Sequence, residues 1–128
     1  HDQSERERLG RRDDQEPNLK RSNETLPKLD KKKPRIMLTH FPMGPGVTNR
    51  PVNADAVLEK FLDYNLQAVF CGHWHGFSEK KVRDSVITTN RCCSFTAGNH
   101  DGGKEKGFYL CEAAEGRVTR TFVEVKLG

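Results

Sequence analysis

The chain has 128 residues and a formal net charge of +4, with 34% hydrophobic and 31% charged residues. No apolar stretch approaches about 18 residues, the length that a membrane-spanning helix needs. The basic residues form no one-sided stripe with interleaved aromatics, which argues against a nucleic-acid scaffold. We therefore expect a soluble protein without a membrane span; its compartment stays open, with the cytoplasm favoured.

Charge is distributed unevenly along the chain. Residues 1–34 contain ten Lys or Arg, eight Asp or Glu, and four leucines as their only apolar residues. Such a segment buries too little apolar surface to offset its ordering entropy, so we expect disorder to about Ser22. A short helical turn, limited by Pro27, is expected within residues 23–30. We divide the chain into a polar charged arm or connecting segment, 1–34, and a core-forming portion, 35–128.

The core-forming portion begins with patterns of a strand and a helix. Residues 36–39 form a short apolar run that ends at His40 and a loop rich in Pro and Gly, which is typical of a buried strand. Residues 53–65 predict an amphipathic helix, with Asn53 as N-cap and Asn65 as the stop. Its apolar residues have helical spacing: Ala54, Val57, Leu58, Phe61 and Leu62.

A second apolar run, residues 66–71, completes a strand–helix–strand pattern and ends at Gly72. Two such strands run parallel through a right-handed crossover, and their continuous apolar character suits a sheet covered on both faces. Short extended pieces follow, and the last two predict an antiparallel hairpin. These pieces lie at Val82, 85–89, 107–111 and 117–125.

Three histidines follow the carboxyl ends of the two predicted parallel strands. His40 follows the first strand, and His73 and His75 lie between Gly72 and Gly76 after the second. Ligands of open α/β sheets bind at that edge. In an extended segment residues i and i+2 point to the same side, so we expect His73 and His75 to point together. Neutral imidazole binds zinc, iron, manganese or copper, and we predict these three residues as metal ligands.

At these residues the sequence resembles a known family. Gly72-His73-Trp74-His75 is similar to the G-H-x-H motif of the calcineurin-like metallophosphoesterases, and His40 after an apolar strand resembles their isolated histidine. The resemblance covers most of residues 30–127. It implies an α/β fold of the α+β sandwich type: the C-terminal half of a four-layer αββα fold, with one βαβ unit followed by antiparallel strands.

The resemblance also implies a function. Members of the family are hydrolases, either phosphatases or phosphodiesterases, that act on phosphate mono- or diesters with two divalent metal ions, for which manganese, iron or zinc are expected. By resemblance His40 and His73 bind one ion and His75 binds the other, and a metal-activated hydroxide attacks phosphorus. The expected substrate is a phosphorylated small molecule or a phosphodiester.

The sequence departs from the family in its acidic motifs. It contains no D-x-H and no G-D, and two divalent cations need anionic ligands between them. Whether this chain is an enzyme by itself therefore stays open. The alternatives are a mononuclear three-histidine metal enzyme and a non-catalytic metal-binding or interaction fragment. Half of a sandwich leaves an apolar sheet face uncovered, so we expect pairing with the missing N-terminal half or self-association.

Two further patterns leave alternatives open. Residues 98–101 spell G-N-H-D, but they follow the G-H-x-H motif instead of preceding it. They represent either a permuted motif, with Asn99 as ligand and His100 as acid, or a chance or substrate-loop match; Arg91, Asn99 and His100 are pocket candidates. The four cysteines form no C-x-x-C pair and are expected to be small apolar side chains within strands, with their disulfide state open. They are Cys71, Cys92, Cys93 and Cys111.

Overall fold

The computed structural model describes residues 20–94 and 96–126. Most of the segment expected to be disordered lies outside these residues, but residues 20–25 are helical and continue into a 3-10 helix, Leu26–Lys28, that contains Pro27. The buried side chain of Leu26 anchors this segment, and Lys60 Nζ donates to Asn23 Oδ1 at 2.5 Å. These contacts hold the helical residues ahead of the predicted turn.

The main sheet has four strands. They are β1 (Arg35–Leu38), β2 (Leu66–Cys71), β3 (Ser78–Val82) and β4 (Ser85–Thr89), in the order β1-β2-β4-β3. β1 and β2 are parallel, which confirms the predicted strand–helix–strand unit. The antiparallel pairing expected after that unit is present between β3 and β4, and β4 also runs parallel to β2. The reason is the tight β3–β4 hairpin, whose turn reverses the chain once more and returns it to the direction of β2.

The helix between β1 and β2 is α1 (Ala54–Leu62). Asn53 occupies the N-cap position as predicted, but its side chain makes no capping hydrogen bond. Asn65 lies three residues beyond the helix end with a left-handed backbone (φ 56°). Its Nδ2 donates to the Lys32 carbonyl at 2.9 Å, so it links the end of the helix to the segment before β1.

The core lies between α1 and one face of the main sheet. Val69 and Ile87, from adjacent strands, are completely buried there. Burial of this kind contributes roughly 1.5–3 kcal/mol for each large aliphatic side chain. The buried members of the core cluster are Met43, Ala54, Leu58, Leu66, Val69, Cys71 and Ile87.

The opposite face of the sheet is partly covered by the predicted hairpin. Its strands, β5 (Gly107–Ala114) and β6 (Arg117–Glu124), are antiparallel as expected, and β5 extends three residues further than predicted, so that the turn is short. Tyr109 of β5 packs on Phe70 of β2, with ring centroids 5.6 Å apart. Arg120 of β6 donates to the Thr88 hydroxyl of β4 and pairs with Glu79 of β3 at 2.8 Å. The fold is therefore mixed α and β with two sheets.

These contacts leave the β1 side of the main sheet open. β6 contacts β2, and its Arg120 reaches β4 and β3, while Tyr109 of β5 packs on Phe70 of β2. On the β1 side of the sheet lies a groove of about 590 Å³. Side chains of β1, β2 and β5 line it, among them Leu38, Phe70 and Tyr109. Leu38 of β1 is 77% exposed and Leu110 of β5 is 55% exposed. Among the described helices, none has the length and apolar character to cross a bilayer.

Candidate metal-binding site

The parallel pairing of β1 and β2 brings their carboxyl ends together. The hydrogen-bond ladder continues past both strands: the Thr39 N–H donates to the Phe70 carbonyl, and the Gly72 N–H donates to the His40 carbonyl, each at 3.0 Å. These bonds place His40 beside the start of the G-H-W-H turn. The strand register therefore determines which histidine of that turn meets His40.

His40 and His73 form a close pair of imidazoles. His40 Nε2 lies 3.0 Å from His73 Nδ1, and the ring of Phe41 packs within 5 Å of both, at centroid distances of 4.9 and 4.7 Å. Without a cation, one N–H donates to the other ring nitrogen. If both nitrogens instead bound one ion at about 2.1 Å, this separation would correspond to a ligand–metal–ligand angle of about 90°. That angle is the one between neighbouring ligands of an octahedral ion.

The backbone of the G-H-W-H segment is a turn. We predicted an extended segment, and this is wrong: His73 (φ 69°) and His75 (φ 58°) are both left-handed, and the Trp74 N–H donates to the Gly72 carbonyl at 2.8 Å. β2 ends at Cys71, so no ladder holds these residues extended. A left-handed non-glycine residue costs on the order of 1–3 kcal/mol, and such strain is concentrated at functional sites.

Gly76 allows this turn to close. The Trp74 ring folds back over it, and a Cβ atom at position 76 would lie 3.0–3.2 Å from three ring carbons of Trp74. A side chain there would therefore displace the tryptophan. Gly76, which flanks the motif in the sequence, thus lets the tryptophan ring pack inside the turn.

His75 lies beside His100 and not in the His40–His73 pair. The two rings are stacked with centroids 5.8 Å apart and an interplanar angle of 16°, and the His100 N–H donates to the His75 carbonyl at 2.8 Å. Across residues 20–94 and 96–126, no three or more His, Cys, Asp or Glu side chains form a group that could hold a metal ion. The structure thus separates the three predicted ligands into a pair and a single histidine.

Asn99, a predicted pocket residue, organises its own loop. Its side chain is nearly buried; Oδ1 accepts from the Cys92 N–H at 2.8 Å, and Nδ2 donates to the carbonyls of Gly103 and Glu105 at 2.8 and 2.9 Å. These three bonds join both ends of the loop. Asn99 therefore stabilises the loop, and its side-chain amide points into the loop.

Asp101 joins the same loop to the residue after the turn. Its Oδ1 accepts from the Gly103 N–H at 3.0 Å, and its Oδ2 accepts from the Phe77 N–H at 2.9 Å. Hydrogen bonds from these two amides, Gly103 first, lower the pKa of Asp101 from its ordinary value, because they stabilise the carboxylate. Asp101 is the last residue of the G-N-H-D match, but no sequence pattern singles it out as a functional residue.

Arg91, the third pocket candidate, lies among aromatic rings. Its guanidinium carbon is 4.1 Å from the centroid of Phe77 and 4.0 Å from that of Phe122, and Nη1 donates to the Tyr109 hydroxyl at 3.3 Å. The side chain therefore joins the turn region to the β5–β6 hairpin. No sequence pattern relates residues 77, 109 and 122, so this cluster could not be predicted.

The four cysteines are free thiols. Cys71 and Cys111 lie within strands as expected, whereas Cys92 and Cys93 lie in the loop after β4. Burial raises the pKa of the Cys71 thiol, and its Sγ accepts from the Met43 N–H at 3.3 Å. Cys71 thus belongs to the core beneath the histidine pair.

The chain matches no protein-family model, and no curated protein matches it. The resemblance to the calcineurin-like metallophosphoesterases therefore stays a prediction from two short motifs.

Proposed function

We propose that this chain carries the C-terminal metal-ligand histidines of a metal-dependent phosphoesterase, a hydrolase of phosphate mono- or diesters. The observation that carries the proposal is the 3.0 Å approach of His40 Nε2 to His73 Nδ1 at the ends of two parallel strands. Two neutral imidazole nitrogens repel each other at that distance unless they share a proton or a cation. Manganese, iron and zinc suit such a pair.

The division of the histidines favours two ions over one. His40 and His73 would hold the first ion, and His75, beside His100, would hold the second. A mononuclear three-histidine site is less favoured, because His75 lies beside His100 and apart from the His40–His73 pair. Divalent ions in such enzymes activate water and neutralise charge on the phosphoryl oxygens. The Phe41 ring would exclude water from one side of the first ion.

The donor set is incomplete within the part of the chain that the structure describes. Imidazoles fit the proposed ions, but no Asp or Glu side chain there completes a group with them. Two neighbouring divalent ions need carboxylates between them. We infer that another segment supplies them. A non-catalytic metal-binding module remains the second candidate, and the missing carboxylates are the observation that favours it.

The open groove beside β1 supports the proposal that another chain or segment packs against this fold. We propose that the chain is the C-terminal half of a four-layer αββα sandwich, and that the half with the carboxylate motifs, or a second copy, covers Leu38 and the other apolar side chains of the groove. Light scattering during gel filtration and binding of a hydrophobic dye test this on the full chain. A monomer that binds no dye would contradict it.

Metal titration tests the proposal. The full chain and the variants His40→Ala and His73→Ala are titrated with Mn²⁺, Zn²⁺ and Co²⁺ by calorimetry, and cobalt absorption reports imidazole ligation. Each variant is expected to bind the first ion at least tenfold more weakly, because it removes one of the two histidine ligands of that ion. His100→Ala serves as the control and should retain that affinity.

Hydrolysis assays then separate the two candidate functions. Aryl phosphate and bis-aryl phosphate substrates are offered with Mn²⁺, with and without a chain that supplies the carboxylates. Metal-dependent turnover that is lost in His40→Ala supports the phosphoesterase. Tight metal binding without turnover under either condition supports the binding module, and unchanged metal affinity in both histidine variants refutes both.

A further inference from the structure

The net charge of the chain is concentrated in one short stretch, residues 28–35, which we call the basic segment. It contains five basic residues and one acidic residue, so its net charge of +4 equals that of the whole chain. The rest of the sequence is therefore balanced in charge. The basic residues are exposed except for the half-buried Arg35; they are Lys28, Lys31, Lys32, Lys33 and Arg35.

The backbone of the basic segment is held in place by side-chain hydrogen bonds. Asn65 Nδ2 donates to the Lys32 carbonyl at 2.9 Å, and Arg35 Nη1 donates to the Lys33 carbonyl at 3.1 Å. The Lys32 N–H in turn donates to Asp30 Oδ1 at 2.9 Å. Because the backbone is already ordered, a partner that binds the lysines does not have to order it.

The charges of the basic segment are poorly compensated. Within the part of the chain that the structure describes, Lys28, Lys32 and Lys33 form no ion pair with an acidic side chain. Lys31 Nζ and the Arg35 guanidinium carbon lie 4.9 and 5.9 Å from the centroid of the Tyr64 ring, which offsets part of their charge. Gathered like charges repel one another, so an anionic partner would be favourable here.

The basic segment lies at the edge of the main sheet opposite to the histidines. It leads into the amino end of β1, where Arg35 pairs with Leu66 of β2, whereas His40 follows the carboxyl end of β1. The two edges are about 20 Å apart, because β2 has six residues. A partner at the basic segment would therefore leave the histidines accessible.

We propose that the basic segment is a docking surface for an anionic lipid bilayer, with its lysines against the headgroups and Leu29 at the interface. Clusters of about four to eight Lys or Arg are attracted to anionic membranes, and an apolar side chain beside them adds a second contact. Leu29 follows Lys28 directly and is 36% exposed. Nucleic acid fits this surface less well, because the segment has no aromatic residue on which bases could stack.

This inference does not rest on the proposed function, since no residue of the basic segment belongs to the candidate metal site. It also differs from covering the groove beside β1, because the attraction is electrostatic and depends on salt. Binding to neutral and to anionic vesicles therefore separates the two surfaces.

The first experiment measures sedimentation of the full chain with vesicles. One set contains phosphatidylcholine alone, and the other also contains phosphatidylserine. At 0.1 M salt the affinity for the anionic vesicles is expected to be at least tenfold higher, and it should be lost at 1 M salt, because the Debye length falls from about 10 to about 3 Å. Equal binding to both sets, or no binding to either, would overturn the proposal.

The second experiment places the contact on the molecule. The double variant Lys32→Glu/Lys33→Glu should bind anionic vesicles at least tenfold more weakly. The double variant Lys80→Glu/Lys81→Glu is the matched control: it changes two exposed neighbouring lysines of β3, so the net charge changes equally, and its affinity should stay within threefold. Equal losses in both variants would show that only the total charge matters and would refute a docking surface.

The third experiment separates a bilayer from a soluble polyanion. Leu29→Asn should bind anionic vesicles about threefold more weakly and bind heparin unchanged, because only a bilayer offers an apolar interior. An unchanged affinity of Leu29→Asn for vesicles would overturn the bilayer as the partner. Displacement of the full chain from the vesicles by an equal charge concentration of duplex DNA would instead assign the basic segment to nucleic acid.

Discussion

Arg91 joins the turn region to the β5–β6 hairpin, and replacing it with alanine tests whether that junction stabilises the fold. The change removes a guanidinium enclosed by Phe77 and Phe122 and a hydrogen bond to the Tyr109 hydroxyl. The sequence suggested instead that Arg91 borders a substrate pocket. The two roles predict different measurements.

The magnitude follows from the contacts of Arg91. A cation–π contact contributes about 0.5–1 kcal/mol at an exposed site and about 2 kcal/mol when desolvated. Arg91 is half-buried and has two such contacts, at 4.1 and 4.0 Å, and a hydrogen bond adds about 1 kcal/mol. Since contributions within one cluster are not additive, we expect Arg91→Ala to lower the free energy of unfolding by about 2–3 kcal/mol.

The assay is urea unfolding of the full chain, followed by the fluorescence of Trp74 and by circular dichroism. Arg91→Lys keeps the charge but loses the planar group that stacks between two rings, so it should recover less than half of the loss. Arg83→Ala is the matched control: its ion pair with Asp63 is largely exposed, and its removal should cost under about 1 kcal/mol.

If Arg91→Ala lowers the free energy of unfolding by less than about 0.5 kcal/mol, Arg91 does not stabilise the junction, because ordinary surface substitutions have effects of that size. A raised KM for phosphate substrate with unchanged stability would instead assign Arg91 to the substrate. A loss of stability with unchanged KM is the expected result.

Two further predictions concern packing and burial. Gly107→Ala should lower the free energy of unfolding by more than about 2 kcal/mol in thermal melts, because the added Cβ would overlap the Val123 carbonyl across the hairpin. Gly98→Ala is the control: its Cβ would meet open space, so its free energy of unfolding should stay within about 0.5 kcal/mol of the unchanged protein. Equal melting temperatures for the two variants would contradict this. Thiol labelling followed by mass spectrometry should modify exposed Cys93 before buried Cys71. Since burial raises the pKa of Cys71 above 9.0, the stabilisation it gives is complete below pH 9.0 and declines as pH rises through the folded-state pKa; equal labelling rates would refute its burial.

The periodic elements of this fold were predictable from the sequence. The apolar runs at 36–39 and 66–71 and the helical spacing between them predicted the strands and α1, because burial on regular structure leaves a regular pattern. Parallel pairing then brought His40 and His73 to one edge, as the topology requires. That part of the candidate site follows from the pattern alone.

The rest of the site depends on hydrogen bonds between residues that have no regular spacing in the sequence. The left-handed backbone at His73 and His75 has only a weak signal in the residue types: His is enriched among left-handed residues, but few non-glycine residues adopt that conformation. The placement of His100 beside His75 depends on a loop fixed by the Asn99 and Asp101 side chains, and such long-range hydrogen bonds leave no spacing to read. The direction of β4 likewise depends on a single tight turn.

The two histidines of the pair are restrained unequally. His73 follows β2, which has neighbours on both sides, whereas His40 follows β1, which pairs with β2 alone in the described sheet. Edge strands open locally more readily than central ones. The motional freedom that an ion would remove on binding thus belongs mainly to His40. A strand that paired with the outer edge of β1 would restrain His40 before the ion binds. It would thereby raise the affinity for the ion by lowering the entropy cost of binding, although it supplies no ligand.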